Sequence, residues 1–226
     1  MKKISCIIPT YNEETRIENV LKAVYDHPLI TEIIVVDDGS KDNTLEIIKK
    51  FKNIHLVVHS KNQGKSSAVC TGVKESTGEF LFLLDADLIG LTPKDITNLI
   101  EPVTSGLADI SISLRKNAPL VWRVIGLDFI SGERVIPRNI MADNLEKIKI
   151  LPRFGLESFM NTIIIKNNYR IKIVHWMNTE SPYKSRKHGF WAGIKGELKM
   201  YLDIFKTIGI FGPVYQIVKI LRLMIK

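Results

Sequence analysis

Short apolar runs alternate with helical stretches through the first half of this chain, and that alternation leaves few folds open. ISCII, EIIVV, IHLVV, FLFLL (Phe80 to Leu84) and ADISIS read as strands. Between them, EETRIENVLKAVYDH places Ile17, Val20, Leu21 and Val24 at helical spacing, and DNTLEIIKKF opens on the capping residues Asp42 and Asn43. GKSSAVCTGVKES and PKDITNLIEPV supply two further helices. Such alternation predicts an α/β fold, a mostly parallel sheet with helices on both faces. At 226 residues, 45% hydrophobic and 25% charged, the chain suits one sizeable globular domain with a small appendage.

In an open parallel sheet, ligands sit outside the carboxyl ends of the strands. Three of those ends carry polar clusters here: PTYNE after the first strand, DDGS after the second and DAD after the fourth. Asp85 and Asp87 close a run that is apolar on both faces, so they must either meet solvent or hold something positive. Three clusters on one rim predict a binding site. It is not a dinucleotide site, because PTYNEE stands where GxGxxG would be needed. Nor is GKS at Gly64 to Ser66 a P-loop, since His59 occupies the first glycine's place.

Four stretches in this order, IIPTYNEE (Ile7 to Glu14), IIVVDDGSKDNT (Ile33 to Thr44), NQGKSSAVCTG (Asn62 to Gly72) and LLDADL (Leu83 to Leu88), resemble glycosyltransferase family two, with its GT-A nucleotide-sugar fold. The resemblance implies a nucleotide diphosphate-sugar donor and a divalent cation, Mg²⁺ or Mn²⁺. Such a cation neutralises the diphosphate as it leaves, and hard cations take carboxylate oxygens beside phosphate and water. Asp85 and Asp87, the D-x-D pair, are the implied metal ligands, with Asp85 also within reach of the ribose. Asp37 is implied to read the base, Pro9, Tyr11 and Glu13 to wall the base and ribose, and Lys65 to border the nucleotide. Asp38 is a further donor contact on the same grounds.

The second half resembles the polyprenyl-phosphate branch of that family, the group of dolichol-phosphate mannose synthase. Arg115 after the fifth strand, Arg123 in VWR and Arg134 in DFISGERVIPR are the implied acceptor-phosphate contacts. Asp128 and Glu157 are the carboxylates implied beside the acceptor. A lipid phosphate is already an anion and calls for arginines, whereas a hydroxyl acceptor calls for a base, for which Asp128 or Glu157 would serve. The phosphate acceptor is the preferred expectation, with transfer inverting the sugar carbon in one displacement. A saccharide or lipid hydroxyl is the alternative, and a nucleotide-sugar-binding protein without turnover is the non-enzyme reading. Two departures from the branch stand out: the segment from Arg123 to Asp128 is short, and Ile89 replaces a polar residue often found there.

Charge and tail bear on the partner. From Lys166 to Lys226 there are twelve Lys or Arg against three acids, while the remainder is near neutral. This asymmetry favours a polyanionic surface, here an anionic membrane and no nucleic acid. In PVYQIVKILRLMIK, Gln216, Lys219, Arg222 and Lys226 fall on one stripe of a helical wheel and the rest is apolar. The expected division is a GT-A domain over 1–190 and a basic amphipathic tail over 191–226 lying in the membrane interface. The start MKKISCIIPTYNEE is too short and acidic for a secretory signal, and no run reaches the ~18 apolar residues of a spanning helix. A peripheral protein on the cytoplasmic membrane face is therefore expected. Cys6 and Cys70, outside any CxxC pattern, read as buried thiols. The histidines offer no metal pattern, His55 and His59 standing about 13 Å apart along a strand.

Overall fold

The structure, a computed structural model, describes residues 2–152, 155–182 and 202–225. Seven strands form one sheet in the order β3-β2-β1-β4-β6-β5-β7. They are β1 (Ile4–Thr10), β2 (Glu32–Asp37), β3 (His55–Val58), β4 (Phe80–Leu83), β5 (Ile110–Arg115), β6 (Arg134–Pro137) and β7 (Ile171–Trp176). All pairings are parallel except those of β6, which runs antiparallel to both β4 and β5. The α/β expectation holds, with β4 one residue shorter than read and β6 added where no strand was expected.

Pleating sorts the apolar residues of β1 and β4 onto two faces. Ile4, Cys6, Ile8, Phe82 and Leu84 meet helices α1 (Ile17–Val24) and α4 (Pro93–Thr104) through Val20, Leu21, Ile96 and Leu99. On the other face Ile7, Leu81 and Leu83 meet α3 (Lys65–Glu75) and α8 (Leu156–Lys166) through Val69, Val73, Met160 and Ile164. Both faces are dry, which is why these strands read as continuous apolar runs. Thr92 caps α4 through a reciprocal box with Asp95, and Pro93 takes its first turn. Short helices complete the layer: α2 (Thr44–Ile48), α5 (Leu120–Ile125), α6 (Asn139–Ala142) and α7 (Leu145–Lys149). Both cysteines are buried and free. Burial pushes the Cys6 thiol far above its usual range and the Cys70 thiol up to about 11, so neither is a ready nucleophile.

The tail corrects one expectation. Helices α9 (Leu202–Ile208) and α10 (Gly212–Leu223) meet at a 73° bend, and no single helix among the described residues is long and apolar enough to cross a membrane. Gln216, expected on a water-facing stripe, is buried and donates to the Ser158 carbonyl and Thr162 Oγ1 of α8. Ile220 enters the same core, and the Ile225 amide donates to the Ile171 carbonyl of β7. The outward face is apolar instead: Phe211, Val214, Tyr215, Val218 and Leu221 are all exposed. The helix therefore packs on the domain with one side and shows a second apolar side to the exterior. The proposed domain boundary and the basic run 184–188 fall on 183–201, outside the described residues.

Candidate active site

The order β2-β1-β4 places the sheet's switch point between β1 and β4, whose onward connections, to β2 and to β5, leave in opposite directions along the sheet. Thr10 and Asp37 end their strands side by side, and Asp85 emerges from β4 two residues beyond the pairing of Leu83 with Ile7. Because β6 runs the other way, its first residue, Arg134, lies beside Leu83 and Ile112, delivering the loop 128–133 to the same rim. Arg115 closes β5 there too. One antiparallel strand thus brings two distant stretches of sequence to a single site.

Its centre is an ionic network. Lys65, the first residue of α3, sets its Nζ 2.8 Å from Asp85 Oδ1 and 3.1 Å from Glu157 Oε1. Arg115 pairs with Asp128 at 3.4 Å and Glu133 at 3.2 Å, and donates to Ser181. Glu133 is fully buried and accepts from Ser113 at 2.9 Å and Ser131 at 2.8 Å. Arg134 lies beneath, fully buried, donating to the Ser131 carbonyl and to Asn161 Oδ1 at 3.0 Å.

The electrostatics follow from burial and neighbours. Burial works to raise the Asp85 carboxyl, but Lys65, then Arg115 and Arg134, outweigh it and hold it below the usual carboxylate range. Burial works against the charge on Lys65, which Asp85 and Glu157 nevertheless raise well above a free lysine. Burial dominates at Asp128 and pushes its carboxyl up despite Arg115, with Glu133 adding repulsion. For Arg134, burial lowers the guanidinium's affinity for its proton, against the pull of Glu157, Asp128, Glu133 and Asp85. Five carboxylates (Asp85, Asp87, Asp128, Glu133, Glu157) face three cations (Lys65, Arg115, Arg134), an excess of two negative charges when all are ionised.

The donor set is made of hard oxygens, so the residues fit Mg²⁺ or Mn²⁺. Gly132 packs flush on the pair: a Cβ there would lie 2.8 Å from Asp85 Oδ2 and 3.0 Å from Lys65 Nζ. Among the described residues, no group of three His, Cys, Asp or Glu side chains could hold a metal by itself. A cation held by Asp85 and Asp87 has places left in its shell for a ligand such as a diphosphate.

The expected donor contacts are distributed unevenly. Pro9, Tyr11 and Asp37 stand on the β1–β2 side of the rim, Tyr11 exposed and Asp37 turned into the DDGS turn, where it accepts from the Ser40 amide and hydroxyl. Glu13 pairs with Arg16 at 3.0 Å, and its amide donates to Thr44 Oγ1, at the entrance of α1. Asp38, buried like Asp37, turns the other way. Its oxygens accept from His59 Nδ1 at 2.7 Å and from the Gln63 and Gly64 amides at 2.9 and 2.7 Å. His59, seen in the sequence as uninformative, bonds Thr71 of α3 through Nε2 at 2.9 Å. Asp38 and His59 therefore fix the turn that launches Lys65. Gly64 holds that turn at φ +92°, which few other residues adopt.

The acceptor-side residues also divide. Arg115 and Arg123 line one cavity with Lys116, Leu120, Val124 and Met177. Arg134 does not line it; it lies buried under the network. Short helix α5 buries none of its residues and exposes Leu120, Val121 and Val124 by 71%, 53% and 77%. Sequence reading does not single out Ser113 or Asn161, and takes Ser131 and Glu133 only within DFISGERVIPR. The one available signal was the polar density of ISGER between apolar flanks.

Comparison with known proteins bears on the family and the fold. The profile of Glycosyl transferase family 2 matches residues 5–168. A dolichol-phosphate mannosyltransferase of Pyrococcus furiosus is 38% identical over 118 residues, covering 50% of this chain and 33% of that protein. A UDP-N-acetylglucosamine–dolichyl-phosphate N-acetylglucosaminyltransferase of Methanococcus voltae is 33% identical over 158 residues, covering 58% of this chain and 62% of that one. The chain thus spans less than two thirds of the length of either relative. Glucosyl-3-phosphoglycerate synthase of Mycobacterium tuberculosis, solved with Mn²⁺, uridine diphosphate and phosphoglyceric acid, superposes with a TM-score of 0.71 at 20% identity, over 96% of this chain and 78% of that one. That likeness is one of fold, and with the profile match it establishes that the chain is a GT-A-fold member of glycosyl transferase family 2.

Proposed function

We propose that the protein transfers a sugar from a nucleotide diphosphate-sugar to a polyprenyl phosphate at the cytoplasmic face of a membrane. The observation that carries this reading is the cavity beside the ionic network. Arg115, Lys116 and Arg123 line it together with Leu120, Val124 and Met177, a pairing of cations and exposed apolar surface that suits an anion attached to a hydrocarbon. The relatives named for dolichyl-phosphate acceptors support the same chemistry.

Asp85 and Asp87 would hold Mg²⁺ or Mn²⁺, which when bound supplies neutralisation of the departing diphosphate. Lys65 offers a further cation on the donor side, and Asp37 and Tyr11 flank the base and ribose. Arg115, kept charged by Asp128 and Glu133, orients the acceptor phosphate with Arg123. No proton need leave such an acceptor. The hydroxyl-acceptor alternative draws on Asp128, whose raised pKa suits a general base. Membrane contact falls to the exposed apolar faces of α5 and α10, with Lys219 and Arg222 beside the latter.

The test is a radiolabelled-donor screen on membranes, with UDP- and GDP-sugars. Label should enter a lipid that mild acid hydrolyses, and chelator should stop it. Arg115→Ala should lower use of the lipid phosphate at least about tenfold, some 1.4 kcal/mol, with donor binding unchanged. Label confined to an acid-stable glycan or glycolipid would move the acceptor to a hydroxyl.

A further inference from the structure

Lys65 already holds Asp85. Its ammonium lies 2.8 Å from Oδ1, with Glu157 as a second anchor at 3.1 Å. Gly132 closes one side of the pair, where even a methyl group would intrude. The turn behind Lys65 is fixed by Asp38, His59 and Gly64, so the side chain is delivered to this position and is not a loose surface lysine. A divalent cation arriving alone meets a carboxylate that has a partner and, among the described residues, no three-ligand cluster to receive it.

A cation arriving with a diphosphate meets a different situation. The diphosphate brings oxygens for the metal and, at the same time, a new anionic partner for the Lys65 ammonium. Exchange of Lys65 from carboxylate to phosphate then leaves Asp85 for the metal without stranding the ammonium, which is mostly covered, beside a second cation. We propose that Lys65 is a tethered counter-cation that makes divalent-metal binding conditional on the donor's diphosphate. This inference rests on the reading that a nucleotide diphosphate and a metal meet at this rim. It adds that Lys65, in opposing metal alone, couples the two ligands, and coupling of this kind is reciprocal.

The experiment measures free Mn²⁺ by electron paramagnetic resonance with the full chain, alone and with UDP or GDP. Wild type should bind Mn²⁺ weakly alone and at least about tenfold more tightly with a nucleotide. Lys65→Gln should bind Mn²⁺ alone several-fold more tightly than wild type and gain less from the nucleotide, while Lys65→Arg keeps the wild-type pattern. Glu157→Gln provides the opposite arm: with its second anchor gone, Lys65 is left to Asp85, and nucleotide-free Mn²⁺ binding should weaken. Thermal melts confirm that each variant is folded. If folded Lys65→Gln binds Mn²⁺ alone no better than wild type, or, should it fail to fold, Glu157→Gln binds it more tightly, the inference is overturned while the donor reading stands. If neither nucleotide improves Mn²⁺ binding by wild type, the metal-diphosphate reading itself fails, and the inference with it.

Discussion

Replacing Gly132 with alanine isolates the geometry of the site from its stability. The added Cβ would stand 2.8 Å from Asp85 Oδ2 and 3.0 Å from both Asp85 Oδ1 and Lys65 Nζ, where ordinary contact begins at 3.4 Å. The carboxylate must therefore retreat by about 0.6 Å, within the displacement for which about 1 Å has been worth ~100-fold in rate. Both intruded groups are ends of flexible side chains, 25% and 30% exposed, so they can swing aside. A partly exposed ion pair contributes only about 0–1 kcal/mol. Gly132 is also not among the positive-φ glycines, so alanine brings no backbone strain. The expected outcome is a melting temperature lowered by no more than about 4 °C, with turnover lowered roughly 10- to 100-fold. Differential scanning fluorimetry and initial transfer rates on one preparation measure both. Wild-type turnover in a folded Gly132→Ala protein would refute the placement of Asp85 at the reacting centre. A large melting shift matching the lost activity would make Gly132 a packing residue only.

Asp38→Ala removes the acceptor for two amides and for His59, and should cost about 2–4 kcal/mol in urea unfolding while raising the Michaelis constant for donor; unchanged stability would place Asp38 elsewhere. In the tail, Ile220→Ala should cost about 2–4 kcal/mol. Val214→Asp with Tyr215→Asp should leave the melt nearly unchanged yet release the protein from anionic vesicles, and retained binding would remove α10 from the membrane contact. Asp128 has a raised pKa, so the native state keeps its proton where the unfolded chain has lost it. Stability should then fall as pH rises from about 4 through the raised value. Asp128→Asn should flatten that decline in urea titrations across pH, and an unaltered slope would show the group titrating normally.

The donor half of the molecule was legible because its signals are local. Strand ends, helix spacing and the acids of DDGS and DAD all lie within a few residues of one another, and each element occupies the place its pattern predicts. The acceptor half was not, because its site is built by pairing rather than by pattern. RVIP is four residues long, carries a fully buried arginine and gives no alternation, so nothing marked it as a strand. Without β6 there is no way to see that Gly132 touches Asp85 or that Glu133 anchors Arg115. The two adjacent acids look alike in sequence, yet alternation at the strand end sends Asp37 to Ser40 and Asp38 toward His59. The wheel of the last helix failed because Gln216 is polar for the sake of a neighbouring carbonyl, not of water.

The inserted strand also bears on the order in which the chain becomes structured during synthesis. β1 to β4 pair with one another along β3-β2-β1-β4, so the pairing within that half of the sheet is complete once Leu83 has been made, with the outer edge of β4 left for β6. β5 follows on the ribosome but has no neighbour in the sheet until β6 emerges between it and β4. For that interval β4 presents an open, apolar edge, the kind of surface on which nascent chains associate wrongly. Arrival of Arg134 to Pro137 closes the edge, recruits β5 and brings Gly132 against Asp85 in one event. The nucleotide half therefore has the means to form first, and the catalytic network becomes possible only when the sheet is joined across β6.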